Sequence, residues 1–359
     1  MNFFWLLALV GHAVLWIGLV NRGHAYEIPR WLVETITLVC GAALVGIPAW
    51  AAWLWGAGGL DSLWTHPVLR GYAAVMAVLA VAATLWRAWL SVHPERRGVL
   101  LGAEKRVVDF SDSHGLSIAN PVPRLFCRVP GNQVLTLSIE EKHLSIPHLP
   151  PACAGLRVAH LSDLHLSGRF GLPMYRDLID LTNESRPDLI ALTGDLIEKD
   201  ACHAWIADTY ARLAAPLGVF YILGNHDKKC GHAETRRLLD AAGLLDASRA
   251  STTVEHHGAA IEIVGNELPW FGPPSEFTNP HAPLRLVLAH TPDQFGWAAE
   301  RNAHLMLAGH NHGGQVRFPP LGAILSPSKH GARYNSGVFR RKGTVMHVTR
   351  GAGSLAPFR

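Results

Sequence analysis

The chain has 359 residues, enough for two domains or for one domain and a membrane region. Its formal charge of +4 is too small for that length, and its basic residues too dispersed, to indicate nucleic-acid binding. Five cysteines (Cys40, Cys127, Cys153, Cys202 and Cys230) form no CxxC pair and are odd in number, which argues against a disulfide framework or a thiolate zinc site.

Residues 1–92 are nearly free of charge and rich in Leu, Val, Ala and Trp. Three apolar spans can be drawn there, at about residues 2–20, 31–57 and 66–92. Each supplies the roughly 20 residues a helix needs to cross about 30 Å of hydrocarbon. Trp5, Trp31, Trp55, Tyr72, Trp86 and Trp89 lie near span ends, where amphipathic rings favour the headgroup zone. Pro48 predicts a kink in the second span. Glu34, Arg70 and Arg87 also fall near span ends, and with no ionisable group read at mid-span the region is expected to anchor rather than transport. A cleaved signal peptide is disfavoured, because residues 1–25 lack a basic start and two further spans follow. Arg22 and Arg30 flank the first loop, and Arg96, Arg97, Lys105 and Arg106 follow the third span, so the first loop and the C-terminal domain are expected to face the cytoplasm.

Residues 93–150 read as a juxtamembrane connector. Stretch 93–120 is compatible with helix, and 133–146 alternates apolar and polar residues (Val134, Leu135, Leu137, Ile139) like an edge strand. After the turn Pro147–Pro151, residues 151–359 form the third region. Strand-like runs lie at 156–161, 188–192, 218–223, 261–264, 284–289, 304–308 and 344–348, and helix-like runs at 173–184, 203–214, 233–242 and 293–300. Buried strands alternating with amphipathic helices predict an α/β layered domain.

Five stretches in this region set metal-binding side chains after strand-like runs: Asp163-Leu-His165, Gly194-Asp195, Gly224-Asn225-His226-Asp227, His290, and Gly309-His310-Asn311-His312. Carboxylate and amide oxygens with imidazole nitrogens suit Mn, Fe or Zn, and the lack of thiolates argues against structural zinc. Two such cations about 3.5–4 Å apart can hold a phosphate, supply hydroxide and stabilise both attacking and leaving oxygens. An anionic bridge is needed between two dications, and Asp195 is the natural candidate.

The five stretches, in this order, resemble the signature of the calcineurin-like metallophosphoesterase superfamily: D-x-H, G-D, G-N-H-[DE], a lone His, and G-H-x-H. The resemblance covers about residues 155–350. It implies a four-layer α-β-β-α sandwich of two mixed sheets. It also implies two divalent metal ions, with Asp163, His165 and His312 at the first, Asn225, His290 and His310 at the second, and Asp195 bridging. His226 resembles the histidine that meets the phosphate and protonates the leaving oxygen, and Asp227 is expected to orient that imidazole. More narrowly, Leu161–Leu166, Gly309–Val316 and the tail from Pro320 to Gly351 resemble the membrane-associated YkuE/YaeI-like bacterial branch. That implies an integral protein of a bacterial inner or plasma membrane.

The reaction class expected is attack of metal-bound hydroxide on phosphorus. Two substrate classes stay open: phosphodiester or pyrophosphate bonds in lipid-linked molecules, favoured by membrane attachment, and soluble nucleotides or aryl phosphodiesters. A non-catalytic membrane sensor would be expected to lack a ligand, and none is missing. Lys329, Arg333 and Arg350 are candidate phosphate contacts, with lipid or solvent as the alternatives. Asn311 and Gln315 stand open between supporting the ligands and ordinary loop roles. His160 is read as structural, because strand alternation turns it away from Asp163. His347 is read as solvated or packed.

Overall fold

The computed structural model describes residues 3–92, 98–110, 129, 131–279, 282–314, 317–318 and 322–353; Arg96, Arg97 and Gln315 lie outside them. The chain divides into two compact units, Met1–Pro94 with Ile324–Ala332, and Glu95–Ala323 with Arg333–Arg359.

The first unit is built on α1 (Phe3–Gly23), α2 (Arg30–Thr65) and α3 (Pro67–Val92), all long and apolar enough to cross a membrane. Outward-facing Leu38, Val45 and Trp53 of α2 and Val75, Val78 and Leu85 of α3 stay exposed, an apolar surface that water would not favour. The helices meet at Trp5, Ala8, Leu63, Leu69, Ala73 and Met76. Gly11 permits the closest approach: a Cβ there would lie 1.7 Å from the Met76 carbonyl oxygen. The second span is longer than expected, and its non-helical residues are Gly58 and Gly59, not Pro48.

Pro48 acts differently. It lacks the N–H that would bond the Leu44 carbonyl one turn back, and the His12 ring supplies the replacement. Its Nε2 lies 3.1 Å from the Leu44 oxygen, its Nδ1 lies 2.7 Å from the Tyr72 hydroxyl, and Trp16 Nε1 donates to that hydroxyl at 3.0 Å. These partners fix every proton: Trp16 donates to Tyr72, Tyr72 to His12 Nδ1, and His12 Nε2 to Leu44. The expectation of no ionisable group at mid-span is therefore corrected. His12 sits in the middle of α1, and its role is to satisfy the carbonyl left open by a proline. Asn21, also buried, fixes the Ile324–Ala332 segment to this unit by donating to the Ile324 carbonyl at 3.0 Å and accepting from the Ser326 N–H at 2.9 Å.

The second unit begins with an antiparallel hairpin, β1 (Leu100–Asp109) and β2 (Thr136–Leu144). The Ala-Glu-Lys-Arg run that looks helical in isolation is thus a strand, because pairing along β2 overrides local propensity. The strands β3 (Val158–Leu161), β4 (Leu189–Thr193), β5 (Val219–Ile222) and β6 (Leu245–Asp246) form a four-stranded sheet, parallel throughout. A six-stranded mixed sheet has the order β13-β14-β10-β9-β8-β7. Its strands are β7 (Thr252–His256), β8 (Ala259–Asn266), β9 (Leu284–Ala289), β10 (Leu305–Ala308), β13 (Gly337–Arg341) and β14 (Thr344–Val348). Two-residue strands β11 (Arg317–Phe318) and β12 (Gly322–Ala323) pair separately.

Side-chain alternation produces the layers. Leu189 and Ala191 of β4 face Leu284, Leu286 and Leu288 of β9 between the sheets. Ile190 and Leu192 face outward onto α4 (Leu172–Glu184), which buries Met174, Tyr175, Leu178 and Ile179 along one stripe, and onto Leu239 of α5 (His232–Ala241). Val287 and Ala289 face α6 (Phe295–Glu300) through Phe295 and Ala298. This is the expected four-layer α-β-β-α arrangement. The helix expected over 203–214 is instead two 3₁₀ turns, Asp200–Trp205 and Tyr210–Arg212. Thr209 separates them; its hydroxyl donates to the Trp205 carbonyl and its backbone is non-helical.

Candidate metal centre

Each expected ligand leaves the C-terminal end of a parallel strand, where open α/β sheets place their ligands. Asp163 and His165 follow β3, Asp195 follows β4, Asn225 and His226 follow β5, His290 follows β9, and His310 and His312 follow β10. Asp163, His165, Asp195, His310 and His312 all have φ between 47° and 70°. Left-handed backbone costs a side-chain-bearing residue about 1–2 kcal/mol, and such strain concentrates at working sites. Gly309 and Gly224 make room: a Cβ at either would come within 2.3 Å of an Asp163 or Asp195 carboxylate oxygen.

The side chains converge in three groups whose donor atoms lie within 4.8 Å of one another: Asp163, His165 and His312; Asp195, His290 and His310; and His165, Glu198 and His226. Asn225 joins the second group, its Oδ1 3.1 Å from His290 Nε2. Each aspartate uses the backbone to aim its carboxylate. Asp195 Oδ1 accepts the His226 N–H at 2.8 Å, while Oδ2 lies 3.6 Å from His165 Nε2 and 3.3 Å from His290 Nε2. The Asp163 carboxylate accepts the His310 N–H at 3.0 Å, and its Oδ1 is 3.4 Å from His312 Nε2.

Proton positions test whether cations fit. His290 Nδ1 lies 2.7 Å from the Thr193 carbonyl oxygen, which can only accept, so Nδ1 carries the proton. In the neutral ring Nε2 is then a lone pair, yet it faces Asn225 Oδ1, Asp195 Oδ2 and, at 3.1 Å, His310 Nδ1. His165 repeats the pattern. Its Nδ1 faces Glu198 Oε2 at 3.1 Å, leaving Nε2 directed at His312 Nε2, also 3.1 Å away. Lone pairs converging in a buried site need positive charge among them. The same demand appears in the titration of His290: burial pulls it down, but Asp195 and Asp163 outweigh burial and raise it to about 9. A divalent cation in the Asp163–His165–His312 cluster and another in the Asp195–His290–His310 cluster fit this donor set.

Glu198 was not anticipated. Its Oε2 accepts from His165 Nδ1 at 3.1 Å and lies 2.7 Å from His226 Nδ1. Burial would raise its pKa, but the bonds to His165 and His226 hold it at about 2. His226 is pulled down by burial and raised further by Asp195 and Glu198. The expectation that Asp227 orients His226 is corrected. Asp227 is fully buried, and its oxygens accept the backbone N–H groups of Leu196 (2.9 Å), Ile197 (2.8 Å) and Gly224 (2.8 Å). It ties the β4 and β5 loops together, and burial with nearby Asp195 pushes its pKa up to about 7. Trp270 forms an apolar wall, its ring 5.3 Å from that of His290 and 4.9 Å from that of His310.

Of the expected phosphate contacts, Arg350 lies against the His310–His312 loop, where a Cβ on Gly313 would be 3.1 Å from its Cγ. The Arg333 guanidinium lies 5.0 Å over the Tyr334 ring, and the Tyr334 carbonyl accepts from Asn311 Nδ2 at 3.1 Å. Lys329 belongs to the helical unit, its ammonium 4.9 Å from the centre of the Tyr26 ring. His160 and His347 are joined, Nδ1 to Nδ1, at 2.9 Å.

The profile of the calcineurin-like phosphoesterase family matches residues 156–314. The uncharacterized metallophosphoesterase YkuE of Bacillus subtilis (strain 168) is 33% identical over 214 residues, covering 57% of this chain and 74% of that protein. Phosphodiesterase YaeI of Escherichia coli (strain K12) is 34% identical over 212 residues, 56% of this chain and 77% of that one. UDP-2,3-diacylglucosamine pyrophosphatase LpxG of Chlamydia muridarum (strain MoPn / Nigg) is more distant, 23% identical over 220 residues, covering 46% and 66% respectively.

Proposed function

Because the chain belongs to the calcineurin-like phosphoesterase family of metal-dependent phosphoester hydrolases, in the branch of the YkuE- and YaeI-like proteins, we propose that it is a membrane-anchored phosphodiesterase or pyrophosphatase working at a two-cation centre. Asp163, His165 and His312 would hold one cation, Asn225, His290 and His310 the other, with Asp195 between. The observation that carries this reading is the Asp195 Oδ2 atom, set 3.6 Å from His165 Nε2 and 3.3 Å from His290 Nε2. Mn, Fe and Zn all suit these donors. Such cations supply Lewis acidity, polarising a phosphoryl oxygen and lowering the pKa of water from 15.7 towards about 7.

The remaining work falls to the protein. Glu198 accepts from His226 Nδ1, which leaves Nε2 to present a proton to the departing oxygen, and the raised pKa of His226 keeps that proton in place. Trp270 gives the site an apolar side beside the His290 and His310 rings.

Three apolar helices favour a substrate held at a bilayer, with lipid-linked phosphodiesters or pyrophosphates as the class, and the diacylglucosamine named for LpxG lends support. The basic residues Arg22, Arg30, Lys105 and Arg106 favour a cytoplasmic catalytic domain in a bacterial inner membrane. Asp195→Asn in Mn-loaded protein is expected to abolish hydrolysis of bis(p-nitrophenyl) phosphate while leaving the thermal melt in place. Undiminished turnover refutes the centre. Mass spectrometry of a lipid extract and a nucleotide pool exposed to the wild-type protein then decides substrate class, and consumption of nucleotides alone overturns the lipid-linked reading.

A further inference from the structure

The β1–β2 hairpin lies outside the segment matched by the family profile, yet one face of β2 reaches into the catalytic layers. Glu140 and Lys142, two apart and so on the same side of the strand, are paired at 2.6 Å. The Lys142 ammonium lies 3.2 Å from His347 Nε2 on β14. His347 Nδ1 meets His160 Nδ1 on β3 at 2.9 Å, and His160 Nε2 meets the Thr193 hydroxyl at the end of β4, also at 2.9 Å. The Thr193 carbonyl in turn receives the His290 Nδ1 proton.

An ammonium has donors and no acceptor, and this sets every direction along the chain. Lys142 donates to His347 Nε2, so the His347 proton sits on Nδ1 and is donated to His160 Nδ1. The His160 proton therefore sits on Nε2 and is donated to Thr193. Both rings are neutral, as burial dictates: it holds His160 down to about 3, and holds His347 well below its ordinary value with help from His160 and Lys142. A second influence, an electrostatic one, runs from the same face. Burial would raise the pKa of Glu140, but Lys142, then Arg350 and Lys105, outweigh it, and Arg350 packs on Gly313 beside His312.

We propose that Lys142 is a positioning residue for the catalytic centre: its ammonium fixes one hydrogen-bond direction through His347 and His160 to Thr193, and so holds the residue whose carbonyl orients His290. The consequence for catalysis rests on the two-cation reading. The hairpin next to the membrane region in the chain thereby becomes part of what keeps the site in register.

The test uses the full chain in detergent, comparing wild type, Lys142→Met and Lys142→Arg. Nitrogen-15 NMR of the histidine rings in metal-free protein reports the tautomers, calorimetry with Mn reports affinity, and kinetics with bis(p-nitrophenyl) phosphate separates kcat from KM. Lys142→Met is expected to lose the single Nδ1–H form of His347 and the single Nε2–H form of His160. It should also bind Mn about tenfold more weakly, as loss of outer support typically does, and lose kcat with KM little changed. Lys142→Arg, which keeps charge and donors, should restore all three. Should Lys142→Met fail to fold, Lys142→Gln is the milder variant; it can donate or accept, so mixed tautomers are expected. Wild-type tautomers together with wild-type Mn affinity in the folded Met or Gln variant overturn the proposal. Wild-type protein that binds no Mn refutes the two-cation reading instead, and the tautomer signals then decide the role of Lys142 alone.

Discussion

Glu198→Gln separates two functions that meet in one carboxylate. Glu198 Oε2 is 2.7 Å from His226 Nδ1 and 3.1 Å from His165 Nδ1, so two imidazoles depend on the same anion. Glutamine keeps the shape but loses the charge, and its amide nitrogen cannot accept from either ring. For His165, as a proposed metal ligand, the loss is that of its supporting carboxylate, worth about 10–100-fold in metal affinity or activity. For His226 the loss falls on general-acid catalysis, which contributes about 10²–10⁴-fold where the leaving oxygen needs a proton. p-Nitrophenolate leaves without one. With saturating Mn, bis(p-nitrophenyl) phosphate turnover should therefore fall by no more than about 100-fold, the effect acting through His165. Turnover of a phosphodiester with an alkyl leaving group should fall a further 10-fold or more, the share of His226. The assay is steady-state kcat for the two substrates in wild type and variant at one pH. Equal losses for both leaving groups would refute the assignment of His226 as proton donor supported by Glu198.

Two other perturbations test the surroundings of the site. His12→Leu removes the donor for the Leu44 carbonyl that Pro48 leaves open and should destabilise the helical unit by about 1 kcal/mol, since transmembrane hydrogen bonds average about 0.6 kcal/mol and reach about 1.7. Adding Pro48→Ala restores an N–H one turn away, so the double variant should regain part of the loss in a detergent-unfolding titration; a double variant no more stable than His12→Leu sinks the explanation. The paired histidines His160 and His347 predict acid sensitivity. Burial holds His160 neutral in the folded state down to about 3, whereas the unfolded chain takes up protons below the ordinary 6.5. The unfolded state therefore binds more protons in that window, and stability present above 6.5 is lost as pH falls towards 3. Melts of metal-free protein between pH 7.5 and 5 should slope less steeply in His347→Phe than in wild type, and parallel slopes would count against it.

What the sequence revealed follows from which features are local. Strands such as Leu189–Thr193 and Leu284–Ala289 are short apolar runs between turn residues, and buried parallel strands need little else to be recognised. Strand β1 was misread because Ala-Glu-Lys-Arg carries no strand signal of its own; its pairing with β2, across 26 intervening residues, decides the matter. The turn at Thr209 was missed for a different reason. Cys202, Ile206, Tyr210 and Leu213 are buried at helical spacing, so the periodicity was present, but the Thr209 hydroxyl competed for the Trp205 carbonyl. His12 looked like one polar residue in an apolar run because its partners are contributed by two other helices.

The site divides along the same line. The convergence of its seven candidate ligands could be read because each follows its strand directly, and a strand end fixes where the next few residues can point. Glu198 could not, since Glu-Lys-Asp reads as an ordinary acidic loop. Its position depends on a bridge between Leu166 and Ile197 and on the Glu198 N–H bonding the Leu166 carbonyl at 3.0 Å, which swing the carboxylate back beneath His165. Asp227 misled for the opposite reason. It is adjacent to His226 in the chain, but a 3₁₀ turn sends consecutive side chains in different directions, and three backbone N–H groups of neighbouring loops claim its oxygens. Adjacency in sequence thus predicted where the candidate ligands gather, because strands set their directions. It failed for the groups that support them, whose partners are brought in by tertiary packing.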